Sequence, residues 1–552
     1  MKILKNIFTI SAGLVLLTGC SDFLNSDPIT TLVESNYYAT EKDAQTALIG
    51  CYDGLQSIYT GDDLPSLVGP SFMSDECFAG GGTGDGVGNI MLDEFDKDRS
   101  PADVNMYEAQ WKQSYKALYR CNMLLSKMDQ IAWKSDDTRN KIEAETRFIR
   151  AYIYFEMVKL WGNIPLVTVP LRPEEANIPQ SNPDEVYKVI ESDLLFAADN
   201  AQLKGAQWTA EWAGTNDGHA TVFAAKSLLA RVFLFYTGYY NKTTLPNGTT
   251  NAQIVSHLTD VYNSGHGLVT PYKNLWPAAC SVRDASATPI GLTTTYAGEG
   301  NKETVWAIKF NSTGAWGTND GFFGMRLIGL RSGQVASFGT SCYGDGSWGC
   351  MPVSAGFEAG WKSEEPTDPR INSSIMNCTA EGISLIADND VREFTGFYPK
   401  KYICLGNGSQ NIYTAQELQF QINQYTDFVV IRYADVLLML SELTKDAKYM
   451  NEVRNRVGLT PVTYTEETLR KERKHELAFE GIRYWDLLRY DYTLDYAANA
   501  VTYSGTVKYG KTRTETKTIS GAKLKACKGL SQIPNNQITL SNGVLIQNEG
   551  WK

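Results

Sequence analysis

Histidines, reactive cysteines and paired carboxylates are where chemistry would show first, and this chain arranges few of them in known frames. It has four histidines in 552 residues, His219, His257, His266 and His475. None stands in a His-Glu-x-x-His or Cys-x-x-Cys spacing, so no zinc pattern is present. No Gly-x-Ser-x-Gly elbow offers a nucleophilic serine. The glycine run after Phe78 contains neither Gly-x-Gly-x-x-Gly nor Gly-Lys-Ser/Thr, which leaves a ligand-facing or mobile loop as its reading. The densest charge lies between Arg470 and Arg489. There Glu472 and Glu476 stand one helical turn apart, followed by Glu480 and Arg483. They read either as the carboxylate pair of a glycoside hydrolase or as a helix tied by ion pairs at three- and four-residue spacing and packed through Leu477, Phe479 and Trp485. The spacing favours the second, so no catalytic residue, metal ligand or cofactor is assigned.

Aromatic residues carry more information. Seven of the twelve tryptophans fall between Trp208 and Trp361. Several lie in glycine-rich sequence, where burial is less assured than in a helix. The apolar face of a sugar ring stacks on indole or phenol, while Asp, Asn and Arg bond its hydroxyls; aromatic rings also lose little entropy on binding. The candidates for such stacking are Trp316, Tyr343 and Trp348, with Trp276 and Phe78 behind them. Asp75 and Asp345 are the candidate polar contacts. For each ring the competing reading is a plug behind a loop.

The elements that must position these residues are mostly helices. Thr40 and Asp43 suit a helix start, and Ala44, Leu48, Cys51, Leu55 and Ile58 follow at three- and four-residue steps. Further helices are expected around Val104–Leu125, Thr138–Leu160, Asn182–Ala197, Ala220–Tyr236 and Ala252–Asn263. The third of these six is stopped by Gly162 and Pro165. Six helices with short connections predict stacked antiparallel pairs, a mostly α, α-solenoid-like scaffold. Helical periodicity fades over about 266–427, where Gly, Ser, Thr and aromatics dominate; so long an irregular insertion is functional or hides further elements. Helices return at Ile431–Glu442, Met450–Val457 and Glu466–Phe479. The scaffold thus covers about 36–265 and 428–490, and 491–552 reads as a polar tail of loop and short strand.

The amino end reads as an export signal. Lys2 and Lys5 precede an apolar Ile7–Leu17, too short to span a bilayer, and Leu17-Thr18-Gly19-Cys20 resembles a bacterial lipobox. On that reading 1–19 is removed, Cys20 carries the lipid that attaches the protein to a membrane, and 20–35 is a linker. Net charge moves from −11 to −13 once the two signal lysines are gone. A nucleic-acid partner is therefore not expected. Nine cysteines besides Cys20 remain, an odd number, so at least one has no partner within the chain. Cys342 and Cys350 bracket a tight glycine-rich loop that an oxidising compartment could close, and their pairing stays open.

Several stretches together resemble the SusD/RagB family of outer-membrane nutrient-binding lipoproteins. They are Cys20-Ser-Asp-Phe-Leu24, the Arg-Ala-Tyr and Leu-Trp-Gly-Asn-Ile-Pro-Leu core within Ala144–Val167, Ile431–Glu442, Asn451–Gly458, Glu472–Asp486, and the close from Gln532-Ile-Pro534 to Trp551. The resemblance spans nearly the whole chain. It implies one domain over 36–552, built of tetratricopeptide-like helix pairs with a loop-rich ligand-binding face. It also implies a non-enzymatic lid on a SusC-like TonB-dependent porin, facing the cell exterior and passing it oligosaccharides or, in some branches, peptides.

Overall fold

Short polar residues open the long helices. In the computed structural model, Thr40 accepts the Asp43 amide and the Asp43 carboxylate accepts the Thr40 amide, a capping box that starts α1 (Glu41–Ser57). After α2 (Glu108–Lys127), Ser135, Asn182 and Thr221 cap α3 (Asp136–Trp161), α4 (Pro183–Asn200) and α5 (Val222–Tyr239), each accepting an amide three residues on. Helix α6 (Asn251–Tyr262) closes the set. Each helix packs on the next, and their apolar faces share one core. The structure describes residues 37–60, 67–82, 88–99, 104–216, 218–284, 291–310, 321–331, 335–337, 347–385, 392–405, 426–490, 502–507, 513–518 and 521–552. The signal, Cys20 and the linker lie outside them, as do Trp316, Cys342, Tyr343 and Asp345. Among the described residues, no helix is long and apolar enough to cross a membrane.

The region from 266 to 427 holds elements that periodicity did not reveal. Strand β1 (Thr304–Ile308) pairs antiparallel with β2 (Phe428–Arg432), and α7 (Ala355–Glu364) buries Phe357 and Trp361. The helix expected from Ile431 begins later. Ile431 and Arg432 finish β2, and only then does α8 (Tyr433–Thr444) start. The β-branched run Val429-Val430-Ile431 favours extended chain, and β1 supplies its backbone partner. Helices α9 (Ala447–Arg456), α10 (Glu466–Glu476) and α11 (Arg483–Tyr490) follow. Helix α10 stops short of Phe479, whose φ of 62° turns the chain toward α11.

Residues 521–552 are docked on the scaffold. The Trp161 indole donates to the Gln532 carbonyl at 3.2 Å, and the Asn548 amide donates to the Trp161 carbonyl at 3.0 Å. Gly162 takes φ 68° there, and a Cβ would come within 2.7 Å of a Leu530 methyl. The left-handed φ favours glycine at that position.

Charge fastens the later helices to the irregular region. The Arg432 guanidinium donates to Glu303 at 2.7 Å, to Glu476 at 2.9 Å and to Glu480 at 2.8 Å. Glu476 also takes Arg370 and Arg456, Glu472 takes Arg370 and Arg454, and Lys401 reaches Glu480 at 2.6 Å. All of these side chains are buried. The expected spacing rule holds for Asp486 and Arg489, three apart on α11, but the pairs that bury Glu472 and Glu476 join separate elements. Burial alone would raise the Glu476 carboxyl, yet Arg456, Arg432 and Arg370 hold it well below the usual carboxylate range. Removing one member leaves buried charge uncompensated. Glu476→Ala should therefore cost about 3–5 kcal/mol in urea unfolding. The exposed Glu467→Ala on the same helix should cost under about 1 kcal/mol.

Candidate functional site

Two irregular stretches, far apart in sequence, pack together through their backbones and are buried apart from Trp348. The Phe78 amide donates to the Pro352 carbonyl and the Gly81 amide to the Gly349 carbonyl, both at 2.9 Å, with bridges Cys77–Val353 and Gly80–Cys350. Gly80 has φ 68°, and a Cβ there would sit 2.4 Å from the Gly349 oxygen. Only glycine permits this approach. Arg392 donates to the Gly80 carbonyl at 2.7 Å, and the Glu393 carboxylate accepts the Gly80 amide at 2.9 Å.

Trp348 stands out from this packing. It is 39% exposed, more than any other tryptophan among the described residues. Its amide donates to the Arg326 carbonyl at 3.0 Å. The buried Arg326 guanidinium lies 4.9 Å from the Trp348 ring centroid and 3.4 Å from that of Phe323. The indole is thus held in place by a cation–π contact while part of it stays open.

The other described candidates are placed differently. Phe78 and Trp276 are 1% and 2% exposed, so neither offers a ring face. Trp276 packs on Tyr402 at 5.2 Å, with the Lys401 ammonium 5.5 Å from its ring. Both residues are corrected to core positions. Glycine-rich sequence around a ring does not keep it at the surface when helices close behind the loop. Asp75 is engaged by Arg483 at 2.7 and 2.8 Å, which ties its loop to α11. The pairing of Cys342 with Cys350, like Trp316, Tyr343 and Asp345, falls outside the described residues. The buried Glu472 and Glu476, clamped by arginines, offer nothing a glycoside could reach.

A second concavity was not read from the sequence. A cleft of about 640 Å³ opens between α1, the start of α3 and the end of β1. At its wall the buried Glu145 carboxylate accepts the Tyr52 hydroxyl at 2.6 Å and the Gln202 amide at 2.9 Å, and meets His219 Nδ1 at 2.7 Å. The hydrogen bond to Glu145 raises the His219 pKa. Burial and the neighbouring Glu145 raise that of Tyr52 well above its usual value. Separations of 93 and 74 residues leave no local motif for this array. Among the described residues, no group of three or more His, Cys, Asp or Glu side chains is arranged to hold a metal ion.

The SusD family model matches residues 356–551, and a second, described as starch-binding associating with outer membrane, matches residues 87–234. The chain is thus similar to the SusD family over residues 356–551 and to a SusD-like model over residues 87–234. A SusD-like protein of Formosa agariphila is 24% identical over 523 residues, covering 86% of this chain and 88% of that one. A laminarin binding SusD-like protein superposes with a TM-score of 0.71 at 23% identity, over 93% of this chain and 99% of the other. Surface glycan-binding protein A from Bacteroides thetaiotaomicron, in complex with laminarihexaose, gives 0.72 at 22% identity, over 92% and 100%. These neighbours share the mostly helical, tetratricopeptide-like fold.

The loop that carries Asp75 also buries Glu76 completely. Burial, reinforced by the Asp75 charge, pushes the Glu76 carboxyl up from 4.5 to about 8. The folded protein therefore keeps a proton that the unfolded chain releases near pH 4.5. Glu76 imposes no penalty below that point, and stability is lost as pH rises from there toward 8. Glu76→Gln should flatten this loss. Comparing urea unfolding at pH 5 and pH 8, the wild type should lose on the order of 3 kcal/mol more than the variant.

Proposed function

We propose that this protein is a SusD-family surface glycan-binding lipoprotein. It captures oligosaccharide by aromatic stacking and hydrogen bonding, makes no covalent change, and delivers its cargo to a SusC-like TonB-dependent porin. The lipid on Cys20 holds it to the outer membrane, facing the exterior. The observation that carries the reading is Trp348: an open indole, immobilised from behind by Arg326, beside a glycine-built loop. Such a ring offers a flat apolar face to a sugar at little entropic cost. The structural neighbours, a laminarin binding protein and a surface glycan-binding protein, support the same ligand class. The arginine-clamped Glu472 and Glu476 weigh against a hydrolase. Trp316 and Tyr343 remain proposed partners of Trp348, with Asp345 as their polar neighbour.

Titration calorimetry of the ectodomain with laminarihexaose and other neutral glucans tests the reading. Trp348→Ala should weaken binding about tenfold or more, the effect of losing one well-placed aromatic anchor. Binding by no member of a broad glycan panel would overturn it, and a porin co-purifying with bound peptide would replace glycan by peptide. Cys20→Ser should move the protein from the membrane to the soluble fraction while leaving glycan affinity unchanged, as measured on fractionated cells and purified protein.

A further inference from the structure

We propose that the cleft beside His219 is a second saccharide site, taking a short neutral sugar whose hydroxyl bonds the outer nitrogen of the imidazole. The inference rests on the glycan-binding reading for its ligand class. The cleft shares no lining residue with the Trp348 surface.

Size and charge narrow the ligand. A volume of about 640 Å³ lies within the usual range for small-molecule sites. Most of its charged groups are paired: Asp53 with Arg120, Lys141 with Asp137 and Lys309 with Asp427. The Glu145 carboxylate is met by Tyr52, Gln202 and His219. What remains is mixed surface. Leu48, Ile142 and Ile49, the last 67% exposed, supply apolar area. Gln45 and Thr138 supply an amide and a hydroxyl. A sugar has both characters, with C–H faces and hydroxyl edges.

His219 supplies the directional contact. Its Nδ1 is committed to Glu145, which keeps a proton on that nitrogen and leaves Nε2 as the atom turned to a ligand hydroxyl. The Glu145 carboxylate is itself immobilised by Tyr52 and Gln202, and the Ala220 amide donates to the Tyr52 oxygen at 2.8 Å. The imidazole side chain is nonetheless 42% exposed. A buried array thus holds one half-open ring edge in a fixed orientation at a concave surface, the arrangement that lowers the ordering cost of binding.

Imidazole proton–nitrogen NMR with laminaritriose tests the proposal, the His219 signal being assigned by its loss in His219→Gln. The expected result is a saturable shift of that signal in the wild type and equally in Trp348→Ala. His219→Ala should weaken this second binding event at least fivefold. Ile49→Ala and Gln45→Ala, exposed changes that leave the Glu145 array intact, should each weaken it about twofold or more. If the His219 signal stays still while calorimetry shows the Trp348 site filled, the cleft is no saccharide site and the proposed function stands. If neither site binds any glycan, both readings fall. If only an oligouronate shifts the signal, with affinity rising as pH falls, the neutral ligand is wrong.

Discussion

The second half of this protein depends on where the guanidinium of Arg432 sits. It lies at the junction of β2 and α8 and donates to carboxylates from just before β1 and from the chain around the end of α10. Those three carboxylates are shared with Arg370, Arg456 and Lys401. Charges taken out of water are costly unless each is met with good geometry. The cluster therefore tolerates only a narrow set of relative positions for its elements. Apolar packing could accommodate a shifted strand or a rotated helix, whereas this network leaves charge stranded when either moves. That is how a region with little regular structure keeps a fixed relation to the helices beneath it.

The irregular stretches around Trp348 are built on that base by backbone contacts. Segments 77–82 and 349–353 exchange amide hydrogen bonds, and Arg392 and Glu393 engage Gly80 from a third segment. Asp75 ties the first segment to α11 through Arg483. Trp348 then emerges from a frame already immobilised. A ring so held needs little further ordering.

The helical scaffold was legible because its signals are local. Thr40, Ser135, Asn182 and Thr221 satisfy amides three residues away, and apolar spacing marks the faces they bury. The onset of α8 was misplaced because Ile431 and Arg432 suit both strand and helix, and the deciding partner, β1, is more than a hundred residues upstream. Glu472 and Glu476 were rightly read as ion-paired, but their partners are set by tertiary approach, which residue spacing does not encode. Trp276 and Phe78 misled for a related reason. Glycine-rich sequence describes the path of a chain, not what closes over it. The array of Tyr52, Glu145 and His219 gave no sign at all, since its members meet only after α1, α3 and the start of α5 have packed.

The seal at Trp161 and Gly162 has a bearing on synthesis. The hydrogen bond from the Trp161 indole to Gln532 spans 371 positions. As the chain emerges from the ribosome, α3 is complete long before its lid exists, and its far end must wait with an apolar indole uncovered. A fragment lacking the stretch from Leu530 onward leaves that indole without its acceptor and Gly162 without its covering leucine. Whatever keeps the nascent polypeptide from sticking to its neighbours must do so until the closing segment arrives.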